Sequence, residues 1–97
     1  MSYETELEEI RDLIDITDEI LIETIISRIG LSKEIGRIKK NYNTQEMCPK
    51  RKEEIFEKVK TRSKLSKVDP EIGHAVFDFL INYSVEIQNK IIHGFIK

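Results

Sequence analysis

The 97-residue chain holds one cysteine, two prolines and four glycines, and its 16 basic and 18 acidic residues almost cancel. Each scarcity excludes something. The lone Cys48 rules out an intrachain disulfide and a cysteine cluster for structural zinc, and it fits a reducing, cytoplasmic setting. A formal charge of −2 lacks the basic excess that marks nucleic-acid binding, so any cationic function must be local. No apolar run approaches the ~18 residues of a membrane span, and the opening MSYETELEE lacks the basic-then-apolar order of a secretion signal. The expectation is a cytoplasmic protein with neither a membrane nor a nucleic-acid partner. The length suits a single domain, 1–97, whose core is small enough to invite a partner chain.

With so few breakers, and with no repeat, low-complexity tract or strand pattern, the chain reads as three helices. Thr5 and Glu8 have capping-box spacing and open a first helix that runs to about Asn41, before the polar stretch NYNTQEM. Leu7, Ile10, Ile14, Leu21, Leu31, Ile35 and Ile38 mark its expected buried stripe in near-heptad order. Pro49 and Pro70 fit first helical positions, and Asp69 is a good N-cap. A second helix is expected over 49–66 with Ile55, Phe56, Val59 and Leu65 inward, and a third over 70–94 with Val76, Leu80, Ile87 and Ile91 inward. The fold class is therefore all-α, with one very long N-terminal helix. A helix of about 36 residues is roughly 54 Å long, whereas a compact domain of this size is a little over about 30 Å across. The overhang predicts antiparallel pairing of two long helices in an intertwined, twofold homodimer. The competing arrangement breaks the helix near Gly30 or Gly36 and folds it back, since glycine costs only about 1 kcal/mol in a helix.

Polar residues interrupt these stripes. In IISRIGLSKEIGRIKK, residues 25–40, Arg28 lies on the apolar face, where a guanidinium is costly unless an anion meets it. Arg28 and Lys39 are about three turns apart, within roughly 20° of one face and about 16 Å along the axis. Arg11 is about 25 Å from Arg28 on the same rod and approaches it only across an antiparallel dimer. Arg51 is in line with Ile55 and Val59, and Ser84 and Gln88 lie one turn apart in line with Leu80 and Ile91. Singly, each has an ordinary explanation: an arginine snorkelling to a carboxylate, a helix-to-helix hydrogen bond, or Lys39 beside Lys40 complementing a helix dipole. Six such residues on three helices facing one core point instead to a polyanion site. Cations and neutral donors, without a Cys–His or Ser–His pair, suit binding and electrostatic stabilisation better than nucleophilic or metal chemistry. No metal or cofactor is expected, and His74 and His93 read as surface or packing residues.

Four segments carry a likeness: IRDLIDITDEIL at 10–21, SRIGLSKEIGRIKK at 27–40, CPKRKEEI at 48–55 and DPEIGHAVFDFLINYSVEIQ at 69–88. Their order and spacing resemble the all-helical class of chorismate mutases over nearly the whole chain. The resemblance implies an intertwined homodimer with two sites, each built from both protomers. It also implies the rearrangement of chorismate to prephenate, without a cofactor, in phenylalanine and tyrosine synthesis. By the same resemblance Lys39 and Gln88 are catalytic, donating to the substrate's ether oxygen. Arg28 grips one carboxylate, Arg11 reaches the other from the partner chain, Arg51 adds cationic support and Ser84 seats a carboxylate.

Two positions depart from the family pattern, which commonly has aspartate in place of Cys48 and glutamate in place of Lys52. Cysteine is a poor N-cap, costing about 1 kcal/mol against aspartate, although the Cys48 amide can still contact a ligand. The usual glutamate receives the ring hydroxyl, whereas the Lys52 ammonium can only donate to it or turn towards an acid such as Glu53. These departures keep two alternatives open: an isochorismate pyruvate lyase on the same fold, and a non-catalytic helical dimer binding a metabolite or a partner protein. The intact Arg28, Lys39 and Gln88 weigh against the second.

Overall fold

The computed structural model describes residues 2–97, and among them it contains three α-helices and no strand. Helix α1 is Tyr3–Asn41, α2 is Pro49–Leu65 and α3 is Pro70–Ile92. Neither Gly30 nor Gly36 breaks α1, which runs unbroken for 39 residues. It starts two residues ahead of Thr5 because Ser2 supplies the cap: its Oγ accepts from the Thr5 amide at 3.2 Å and its carbonyl from the Glu6 amide at 3.1 Å. Asp69 caps α3 in the expected way, Oδ1 accepting from the Glu71 amide at 3.0 Å. Cys48, at the N-cap of α2, makes no side-chain capping bond.

All three helices stop by the same device. A left-handed residue follows the last turn, Asn43 at φ 52°, Lys67 at φ 56° and Gly94 at φ 80°. The next amide then bonds the carbonyl five residues back: Thr44 to Lys39 at 2.9 Å, Val68 to Ser63 at 2.9 Å and Phe95 to Lys90 at 2.8 Å. These stops place the ends of α2 and α3 at Leu65 and Ile92, slightly before the expected 66 and 94.

The chain divides into two units, the first ending at Leu31 and the second spanning Ser32–Lys97. The first is a stretch of α1 whose residues are almost all exposed. In the second, the last turns of α1 join α2 and α3. Helix α2 comes so close to α3 that a Cβ on Gly73 would lie 2.5 Å from Val59 Cγ1, and one turn away the Phe56 and His74 rings stack at 4.3 Å. The end of α1 approaches α3 just as tightly: a Cβ on Gly36 would meet Gln88 Cα at 3.1 Å and Ile91 Cβ at 3.2 Å. Among the described residues, Ile87 and Ile91 are the only buried large apolar side chains.

Within one protomer, the stripe expected to be buried on α1 is largely exposed. Ile10, Ile14, Leu21, Leu31, Ile35 and Ile38 are 44–66% exposed, and Leu7 is half-buried. The face that meets α3 carries Ser32 and Gly36, because only small side chains permit that approach, and the heptad isoleucines point elsewhere. On α3, Ile87, Ile91 and half-buried Leu80 face inward, whereas Val76 joins Ile72, Phe79 and Tyr83 in an exposed stripe. Leu65, also expected inward, is exposed at the final residue of α2, where the chain turns through Lys67. No helix among the described residues is long and apolar enough to cross a membrane.

Candidate active site

The close contact at Gly36 organises the second unit's polar side chains. On α1, Ser32, Gly36 and Lys39 follow at i, i+4 and i+7, so a serine and a lysine stand one turn to either side of the glycine. On α3, Ser84 and Gln88 are one turn apart. The result is a hydrogen-bonded chain running in a single direction. Lys39 Nζ donates to Gln88 Oε1 at 2.8 Å, Gln88 Nε2 donates to Ser84 Oγ at 3.0 Å, and Ser84 Oγ donates to Ser32 Oγ at 2.7 Å. Gln88 and Ser32 are buried, Lys39 and Ser84 half-buried. Among the described residues, no buried side-chain nitrogen or oxygen lacks a partner.

The chemistry follows from the partner of the ammonium. Gln88 offers Lys39 a neutral amide oxygen rather than a carboxylate, so the contact orients the cation without cancelling its charge. A half-buried cation with neutral donors beside it can stabilise negative charge that develops on a ligand. Among the described residues, no cluster of histidine, cysteine, aspartate and glutamate could hold a metal ion.

Arg28 and Arg11 belong to the first unit, Arg28 half-buried and Arg11 exposed at 3.5 Å from Glu8. Cys48, Arg51 and Lys52 stand at the start of α2. Cys48 is an exposed free thiol, and Arg51 lies 3.7 Å from Glu54 with both side chains exposed. Exposed pairs of this kind contribute only about 0–1 kcal/mol, so the guanidiniums of Arg11 and Arg51 are readily released to a better anion. Lys52 turns to an acid, but the acid is Asp78 on α3 rather than Glu53: Nζ is 3.9 Å from Oδ1 and 5.8 Å from the centre of the Phe56 ring.

Sequence reasoning overlooked Ser32 and Asp78. Ser32 had a signal, a small polar residue one turn after Arg28 and one turn before Gly36. Asp78 had none, since its meeting with Lys52 depends on which face of α3 receives α2.

Comparison with known proteins adds an independent line. The sequence model of the family described as chorismate mutase type II matches residues 10–89. A protein of Methanocaldococcus jannaschii named chorismate mutase is 30% identical over 84 residues, covering 87% of this chain and 85% of that protein. No solved structure matches the chain significantly. The family match spans α1 from Ile10 onwards, all of α2 and α3 up to Asn89, and so takes in every residue of the polar chain. By these matches the chain belongs to the chorismate mutase type II family and is an enzyme of the isomerase class.

Proposed function

We propose that the protein converts chorismate to prephenate, supplying phenylalanine and tyrosine synthesis, and that it works as an antiparallel homodimer. The observation that carries the reaction is the Lys39 ammonium held 2.8 Å from the neutral Gln88 amide in a member of this family. The rearrangement is a one-step pericyclic shift within a single dianion, so it requires neither acid, base nor nucleophile. It requires a compact chair-like conformer and a donor where the breaking ether oxygen gains negative charge. Lys39 and Gln88 are the donors. Arg28 grips one carboxylate, Arg11 of the second copy grips the other, and Arg51 and the Cys48 amide add support from α2. A millionfold acceleration needs about 8 kcal/mol, which conformational restriction and one oriented cation can share.

Three observations support the dimer. Among the described residues, two buried large apolar side chains make a very small core. The protomer exposes 7995 Å², against roughly 5,800 Å² for an ordinary folded chain of this size. The exposed apolar residues of α1 also include a heptad series, Ile10, Ile14, Leu21, Leu31, Ile35 and Ile38, continued through Thr17, Thr24 and half-buried Arg28, the pattern of a helix paired with another. Charge selects the direction. Between Tyr3 and Glu23 nine acidic residues accompany the single Arg11, whereas Thr24–Asn41 carries five basic residues and only Glu34. Antiparallel pairing sets acidic half against basic half, and parallel pairing sets like against like. With the two seams fully overlapped, Thr24 lies at the twofold axis, and Arg11 faces Arg37 of the second copy, in the turn before Lys39.

The test is the loss of chorismate absorbance on adding purified protein, with isochorismate assayed in parallel because Lys52 and Cys48 replace acidic residues. Chorismate is expected to be consumed, and Lys39→Ala to lower kcat by about 100-fold or more, the scale of removing one transition-state donor. Turnover of isochorismate far above that of chorismate would replace this reading with the lyase.

A further inference from the structure

We infer that Ser32 is a positioning residue of the active site: through Ser84 it locks the Gln88 amide in the orientation that presents its oxygen to Lys39. The inference rests on the reading of Lys39 and Gln88 as donors to the ether oxygen. An amide's two ends are alike in shape and differ only in that one accepts and the other donates. Lys39 has only hydrogens to give, and so favours the oxygen. Ser84 is indifferent by itself, because a hydroxyl can accept from Nε2 or donate to Oε1.

Ser32 removes that indifference. The one hydroxyl hydrogen of Ser84 goes to Ser32 Oγ at 2.7 Å, which leaves Ser84 only as an acceptor towards Gln88. Nε2 is therefore turned to Ser84 at 3.0 Å, and Oε1 is turned to Lys39 at 2.8 Å. Ser32 is only 5% exposed, so its oxygen meets little competition from water for this hydrogen. Anchored through one N–H, the ammonium carries two further hydrogens for a ligand. Without the Ser32 oxygen, the Ser84 hydrogen can swing to the amide. A reversed amide then sets its NH₂ group against the Lys39 ammonium, donor against donor, and the cation loses its anchor.

A double-mutant cycle on chorismate turnover tests this. Ser32→Ala is expected to lower kcat about fivefold, the scale of one neutral hydrogen bond, with KM changed less than about twofold and Tm unchanged. In a Ser84→Ala background the same substitution should cause no further loss of kcat, because the relay is already cut. Equal losses in both backgrounds, or an effect on Tm without one on kcat, would overturn the inference and leave Ser32 a packing residue. A second measurement is independent of turnover: the side-chain amide signals of Gln88 in ¹⁵N-labelled protein should be protected from exchange and lose that protection in Ser32→Ala. If the wild-type protein leaves chorismate untouched, the proposed function fails while this measurement still judges the relay, and Gln88 signals identical in wild type and Ser32→Ala would sink it.

Discussion

Lys52 and Lys67 are both lysines at positions where another residue would be expected, and they carry different consequences. Lys52 is drawn to Asp78 and lies over Phe56, in a half-exposed setting where such contacts add little stability. Lys52→Glu is expected to preserve or raise kcat/KM for chorismate, since a carboxylate can receive the substrate hydroxyl; a large loss would assign the lysine a role of its own in turnover. Lys67 pays a backbone cost instead. Its φ of 56° is left-handed, and a non-glycine side chain there is strained by about 1–2 kcal/mol, partly offset in glycine by the freer unfolded chain. Lys67→Gly should therefore raise stability by about 0.5–1 kcal/mol in urea denaturation, without changing kcat.

At the scale of the element, the meeting of α1 and α3 depends on Gly36. A methyl group there would press within 3.1 Å of the Gln88 backbone, which cannot swing aside as a flexible side chain would. Gly36→Ala gains about 1 kcal/mol in helix propensity and loses about 1–3 kcal/mol in overpacking. The expected result is a near-neutral or slightly lower Tm with a clear fall in kcat, because the two helices holding Lys39 and Gln88 are forced apart. An unchanged kcat would mean that this spacing is not critical. The elements themselves were largely legible in the sequence, because their signals are local: Asp69 caps α3, Pro49 and Pro70 open helices, and NYNTQEM ends α1. The true start at Tyr3, capped by Ser2, was missed because a second capping pattern lay three residues after Ser2, at Thr5. Which face turned inward was less legible. Periodicity identifies an apolar face but not what covers it, so Ile35 and Ile38 were expected to be buried, but within the protomer Ser32 and Gly36 are the residues that meet α3. Lys39, Ser84 and Gln88 stood out as polar residues at core spacing, whereas Ser32 escaped notice as an ordinary helix residue.

At the scale of the whole molecule, the exposed seam on α1 sets the behaviour of the chain. Ile14 is 51% exposed in the protomer, so Ile14→Glu would change the stability of an isolated chain by no more than about 0.5 kcal/mol. In the proposed dimer the same carboxylate is buried among isoleucines. Sedimentation of Ile14→Glu should then shift towards the monomer, with Tm falling and becoming dependent on protein concentration. A wild-type protein that sediments as a folded, active monomer at micromolar concentration would remove the dimer and, with it, the role given to Arg11.

The gradient of sign along α1 acts at a different range from its isoleucines. In the proposed dimer, opposite halves attract before the surfaces touch, while apolar side chains contribute only in contact. Added salt should consequently slow how fast two chains find each other and leave how long they stay together almost untouched.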